Sequence, residues 1–165
     1  MKTLRDIMLL GFGVVAIAGV LVHAQERRPV GGAALRASRF AAVDVSFDSG
    51  EAALAAYQFE LSASSGEFKI VGVEGGEHAA FTEPPYYDPK ALSQDRIIIA
   101  AFDTGDDLPT GKTRVARIHV EIIGNIAPTF DVQVIVAASA DGQSIPVEAT
   151  HEIALADELP VAPKR

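Results

Sequence analysis

The chain of 165 residues contains no cysteine and no tryptophan, and only 4 histidines and 2 methionines. Without cysteine there are no disulfides, no thiolate metal sites, no thiol nucleophile and no acylated lipoprotein cysteine. Aromatic residues make up 7% of the chain, with three tyrosines among them. A long row of aromatic sugar platforms is therefore hard to assemble. Cations are also scarce: 14 Lys and Arg stand against 22 Asp and Glu, a formal net charge of −8. That balance disfavours non-specific binding to nucleic acid or to anionic lipid. From Phe40 to Glu158 the deficit is sharper, with 20 acidic against 6 basic residues, whereas Arg27, Arg28, Arg36 and Arg39 precede this body and Lys164 and Arg165 end it.

The chain has one uninterrupted apolar run, Ile7 to Val22, behind Lys2 and Arg5 and ahead of Val22-His23-Ala24. Small or apolar residues at those last positions suit a signal peptidase, so residues 1–24 are expected to be a signal peptide, or, uncleaved, a hydrophobic helix that anchors the chain. Four arginines follow the run and oppose export by the positive-inside rule, but a long domain behind a signal is translocated largely regardless of charge. The expected location is extracytoplasmic: secreted, periplasmic or membrane-anchored. Residues 25–39, rich in charge, glycine and proline without periodicity, read as a linker, and residues 156–165 as a tail.

Between them, residues 40–155 carry the period-2 alternation of half-buried strands. Arg96 to Ile123 shows it best: an Ile97–Phe102 run, a polar turn, then Ala116, Ile118, Val120 and Ile122 alternating with Val115, Arg117, His119 and Glu121. These two segments are expected to pair as a hairpin. Val43, Val45 and Phe47 form an earlier strand. Ala55, Tyr57, Phe59 and Leu61 form the next, with Tyr57 in the core, and Phe68 to Val73 another. Phe130, Val132, Val134 and Val136 follow with apolar sides on one face, and Ala140-Asp141-Gly142-Gln143 is a turn signal. Seven to nine such strands, separated by turns, predict an all-β, jelly-roll-like β-sandwich preceded by the N-terminal hydrophobic helix.

Catalytic and metal motifs fail on spacing. Gly105-Asp106-Asp107-Leu108-Pro109-Thr110-Gly111-Lys112-Thr113 places five residues between its glycines where a phosphate loop needs four, and a strand follows instead of a helix. Asp103, Asp106 and Asp107 are candidate ligands for a hard cation such as calcium, without EF-hand spacing, and a solvated acidic turn is the competing account. His151-Glu152 opens like a zinc-protease helix, but Leu155 occupies the second histidine position. His119 is expected to face solvent on its strand, and His78 has no partner fixed by spacing. No G-x-S-x-G elbow is present. No enzymatic activity and no cofactor are expected. Tyr86 and Tyr87, between prolines in the irregular stretch from Gly75 to Gln94, are the candidate binding residues.

The order of these pieces resembles a cohesin-type domain, the jelly-roll module that binds dockerins, and its relatives among cellulose-binding modules. Val43-Asp44-Val45-Ser46-Phe47-Asp48-Ser49-Gly50 is similar to the family's first strand and turn. Ala55 to Leu61 and Phe68 to Glu74 resemble its next two strands, Gly111 with Val115 to Val120 its glycine-then-strand segment, and Asp141-Gly142 before Ile145-Pro146 its last hairpin. The family's Tyr-Asp-Pro after the second strand is replaced by Ala63-Ser64-Ser65, and Tyr87-Asp88-Pro89 occurs later. The resemblance implies a dockerin-like protein partner. A polysaccharide held by Tyr86 and Tyr87, or a place as an accessory subunit of an envelope complex, are the alternatives.

Overall fold

The computed structural model describes residues 37–155; the expected signal or anchor, most of the linker and the tail lie outside the described residues. Eight strands form two antiparallel four-stranded sheets. These are β1 (Ser38–Asp48), β2 (Ala56–Ser65), β3 (Glu67–Glu74), β4 (Tyr86–Tyr87), β5 (Ile97–Phe102), β6 (Lys112–Ile123), β7 (Thr129–Ala138) and β8 (Glu148–Leu155). The first sheet runs β3-β6-β1-β8 and the second β4-β5-β2-β7. Apart from the step from β4 to β5, every link between successive strands crosses from one sheet to the other. The result is a β-sandwich.

The core lies between the sheets. Val43, Val45 and Phe47 of β1 and Ile118, Val120 and Ile122 of β6 face Tyr57, Phe59 and Leu61 of β2 and Ile97 and Ile99 of β5, all fully buried. Phe47 meets Tyr57 and Phe59 edge-on across the gap, with centroids 5.8 Å apart in each pair. Edge-to-face packing of this kind contributes beyond the area that it buries. Phe81, carried by a 3-10 turn at Ala79–Phe81, adds a fourth ring 5.1 Å from Tyr57. The segment from Gly75 to Gln94 is thus partly ordered from within: one part supplies a core residue and another supplies β4.

The expected hairpin of Ile97–Phe102 with Lys112–Ile123 does not form. β5 and β6 lie in different sheets. Alternation tells which side of a strand is buried, but not whether its partner is beside it or across the core. The connection 103–111 pairs with the β1–β2 connection instead: Leu54 N–H donates to the Pro109 carbonyl at 2.9 Å, and Ser49 and Gly111 are bonded in the same seam. Two bulges correct the expected faces. Val115 is an extra residue opposite the Val45–Ser46 step, so both Val115 and Ala116 are buried, although alternation placed Val115 outside. Ile135 is likewise extra in β7, so Val136 is exposed and Ala137 takes the inner position.

Candidate binding face

The two outer faces differ. On the first sheet the exposed side is mostly a charge lattice, with the exposed Phe40 ring at one end. Arg117 grips Asp44 with two bonds of 2.7 Å, Arg114 lies 3.9 Å from the same carboxylate, and His119 is 2.9 Å from Glu74. Asp44 raises the Arg117 guanidinium pKa by accepting these bonds. His119 does face outward beside Arg117 and Glu121, as expected.

The outer face of the second sheet carries an apolar patch. Because Ile97 and Ile99 point into the core, Ile98, Ala100 and Phe102 must point away from it. Tyr86 pairs with Ala100, and so joins them, while Tyr87 pairs with the buried Ile99 and packs against the core. Tyr86 is 69% exposed and Phe102 63%, and their rings stack at 6.1 Å with only 10° between planes. Ile98 and Val136 extend the apolar surface on either side of β2, where Gln58 stands opposite Val136. Large apolar side chains gathered on one exposed face, rather than scattered, mark interaction surfaces.

Beside Tyr86 this face dips into an open groove of about 630 Å³. Ile98, Ala100 and Gln58 of the sheet line it, together with Tyr86, Asp88 and the segment Gln94, Asp95 and Arg96. Each border is fixed by a bond. The Asp88 carboxylate accepts the Lys90 N–H at 2.9 Å and caps the 3-10 turn Pro89–Ala91. Ser93, in the left-handed region at φ 68°, turns the chain so that its N–H reaches the Ile70 carbonyl at 2.7 Å, while Gln94 accepts the Ile70 N–H at 2.8 Å. The groove is therefore clamped to β3 of the other sheet. Arg96 forks onto Glu60, with Nε donating to Oε1 at 2.7 Å, and this bond holds the Glu60 carboxyl below the usual range.

No family model, no curated protein and no solved structure matches the chain.

The remaining candidates from the sequence fall elsewhere. Asp103 bonds the Gly105 N–H at 2.6 Å, Asp106 is exposed, and Asp107 stands 3.9 Å from His78. His78 itself accepts the Ala80 N–H through Nδ1. Among the described residues no three His, Asp or Glu converge as metal ligands. His151 lies on strand β8 against the Phe130 ring, not on a helix. Tyr57 is in the core, its hydroxyl donating to the Val115 carbonyl at 2.7 Å, and burial pushes its phenol up. Sequence reasoning did not single out Phe102, Ile98 or Val136. Parity along Ile97–Phe102 carried the first two; nothing local announced the bulge that exposes the third.

Proposed function

We propose that this chain is an exported, non-catalytic binding module of the cohesin-like jelly-roll type, whose protein partner docks on the outer face of the β4-β5-β2-β7 sheet. The observation that carries the reading is the exposed Tyr86–Phe102 stack on a hydrogen-bonded sheet beside a bonded groove. Large, rigid, amphipathic rings provide contact area at low entropic cost, and a preorganised backbone reduces it further. Strand crossing from sheet to sheet agrees with a jelly roll. The apolar run at Ile7–Val22 supports export. The non-catalytic reading draws on the charged groups themselves: Glu60, Arg96, Arg117 and Asp141 shift through structural hydrogen bonds to neighbours. The competing ligand is a polysaccharide, for which the same two rings and the amides of Gln58 and Gln94 would serve.

The test is capture by the full chain and by its Tyr86→Ala/Phe102→Ala variant from envelope and secreted proteins. A protein retained by the wild type and lost with the variant, at unchanged melting temperature, is the expected result. Capture that is indifferent to the double substitution refutes the face. Retention on an insoluble polysaccharide that is lost with the variant assigns the face to sugar.

A further inference from the structure

Taking the β4-β5-β2-β7 face as the docking site, we propose that its occupant is a cationic protein surface, an apolar centre rimmed by lysine or arginine, and not a second copy of this chain. The proposal rests on that reading of the face and adds the chemistry of the partner. Two carboxylates that are in no ion pair among the described residues stand beside the apolar centre of Tyr86, Phe102 and Ile98. Asp88 and Asp95 line the groove. Glu60 is tied to Arg96, Asp131 stands two strands from β5 opposite Ser62, and Asp103 accepts the Gly105 N–H, so these three add little to that border.

Two cations stand near them. Arg96 and Glu60 offset each other in a two-bond fork, so neither adds to the charge offered to a partner. Lys90 sits on the 3-10 turn behind Asp88. Asp88 and Asp95 against Lys90 leave a net negative charge beside the stack, whereas on the opposite sheet Arg117, Arg114, Lys112 and His119 each meet a carboxylate. A partner of opposite sign gains steering and specificity from such a rim, and like charges brought face to face are penalised. Two copies of this chain would oppose rim to rim. A neutral polysaccharide would donate hydroxyl hydrogen bonds to the same carboxylates, but its binding would not weaken with ionic strength.

The probes are three synthetic peptides with one leucine- and phenylalanine-containing centre, flanked by lysines, glutamines or glutamates. Each is titrated against the full chain, with affinity read by anisotropy and location by amide chemical shifts. The lysine-flanked peptide should bind about tenfold more tightly than the glutamine-flanked one at low salt. That advantage should fade as ionic strength rises. Shifts should map to Tyr86, Ile98, Ala100 and Phe102. Asp88→Asn with Asp95→Asn should lower the ratio of lysine-flanked to glutamine-flanked affinity and flatten the salt dependence of the former, and Tyr86→Ala with Phe102→Ala should abolish binding of both. If all three peptides bind equally at this face, the docking site stands and the cationic partner is wrong. If none binds, or binding maps elsewhere and survives Tyr86→Ala with Phe102→Ala, the face is wrong as well. A dimer in sedimentation that dissociates on Phe102→Ala, or retention on polysaccharide lost with the same substitution, overturns the proposal in favour of that occupant.

Discussion

Replacing Tyr57 by Phe removes one oxygen from the centre of the sandwich and leaves the ring contacts with Phe47, Phe59 and Phe81 in place. The hydroxyl reaches across from β2 in one sheet to the carbonyl of Val115 in the other. Val115 is the extra residue of the β6 bulge and is fully buried, so its carbonyl sits where the regular ladder is broken. Losing the donor costs the bond and strands a buried acceptor, together about 1–3 kcal/mol. For a domain of this size, that is a fall in Tm of about 4–12 °C. With no tryptophan in the chain, urea unfolding followed by far-UV circular dichroism is the suitable assay. A loss below about 0.5 kcal/mol would refute the cross-sheet bond. Alkaline pH gives a second readout. Burial raises the folded phenol above its ordinary value, so the folded chain keeps a proton that the unfolded chain releases. Stability from this group is complete below the unfolded phenol pKa of about 10 and declines as pH rises beyond it. Phenylalanine has no proton to lose, so the gap between wild type and variant should narrow above that pH. A gap that stays constant would mean the phenol is not held neutral by its surroundings.

Further substitutions probe other parts of the argument. Ile118→Ala, fully buried on β6, should cost about 2–4 kcal/mol, whereas Val136→Ser, turned outward by the bulge, should cost under about 0.5 kcal/mol in the same urea melts; equal losses would mean that the β7 bulge is misplaced. Gly76→Ala would set a Cβ 2.4 Å from the Arg114 carbonyl oxygen and 3.2 Å from the Phe81 Cβ, and should destabilise by about 2–3 kcal/mol. Gly50→Ala, in open space at φ +59°, should cost about 1 kcal/mol through its backbone alone; the reverse order in melting temperature would contradict the packing of Phe81 under that loop. Glu60→Gln should flatten the acid limb of stability. The depressed Glu60 carboxyl contributes above its unfolded pKa and loses that contribution as pH falls through the folded value, so an unchanged acid limb in pH melts would mean that the Arg96 fork does not persist in solution.

Period-2 alternation made most strands legible, because a residue's side of the sheet depends on its own chain. Tyr57, Phe59 and Leu61 are buried as their spacing requires, and β3 and β7 begin within a residue of where the apolar pattern starts. Strand partnership was not legible in the same way. Ile97–Phe102 and Lys112–Ile123 each need one apolar neighbour face, and that need is met equally well by pairing edge to edge or by packing across a core. The choice is made by the seam of Leu54–Pro109 and Ser49–Gly111, formed between two loops that are far apart in sequence. Bulges are hidden for a related reason. An extra residue at Val115 or Ile135 changes no local propensity, and its effect appears only against the partner strand's register.

The candidate face follows the same logic one level up. Tyr86 and Tyr87 are adjacent and chemically alike, so no sequence argument separates them, yet the register of a two-residue strand sends one outward and the other onto the core. Once Tyr86 is outward, Phe102, two residues beyond its partner Ala100 on β5, is the ring within reach, and the stack forms from residues sixteen positions apart in the chain. Their exposure has a cause in the architecture. Among the described strands only β4 and β5 are successive members of one sheet, and the segment between them lines the groove beside the stack. A sandwich in which nearly every connection is spent joining the two sheets across their ends leaves the faces of those sheets bare. On the first sheet the bare face carries paired charges, with the exposed Phe40 ring at one end. On the second it carries stacked rings beside Asp88 and Asp95, and apolar area of that kind is held in water at a free-energy cost.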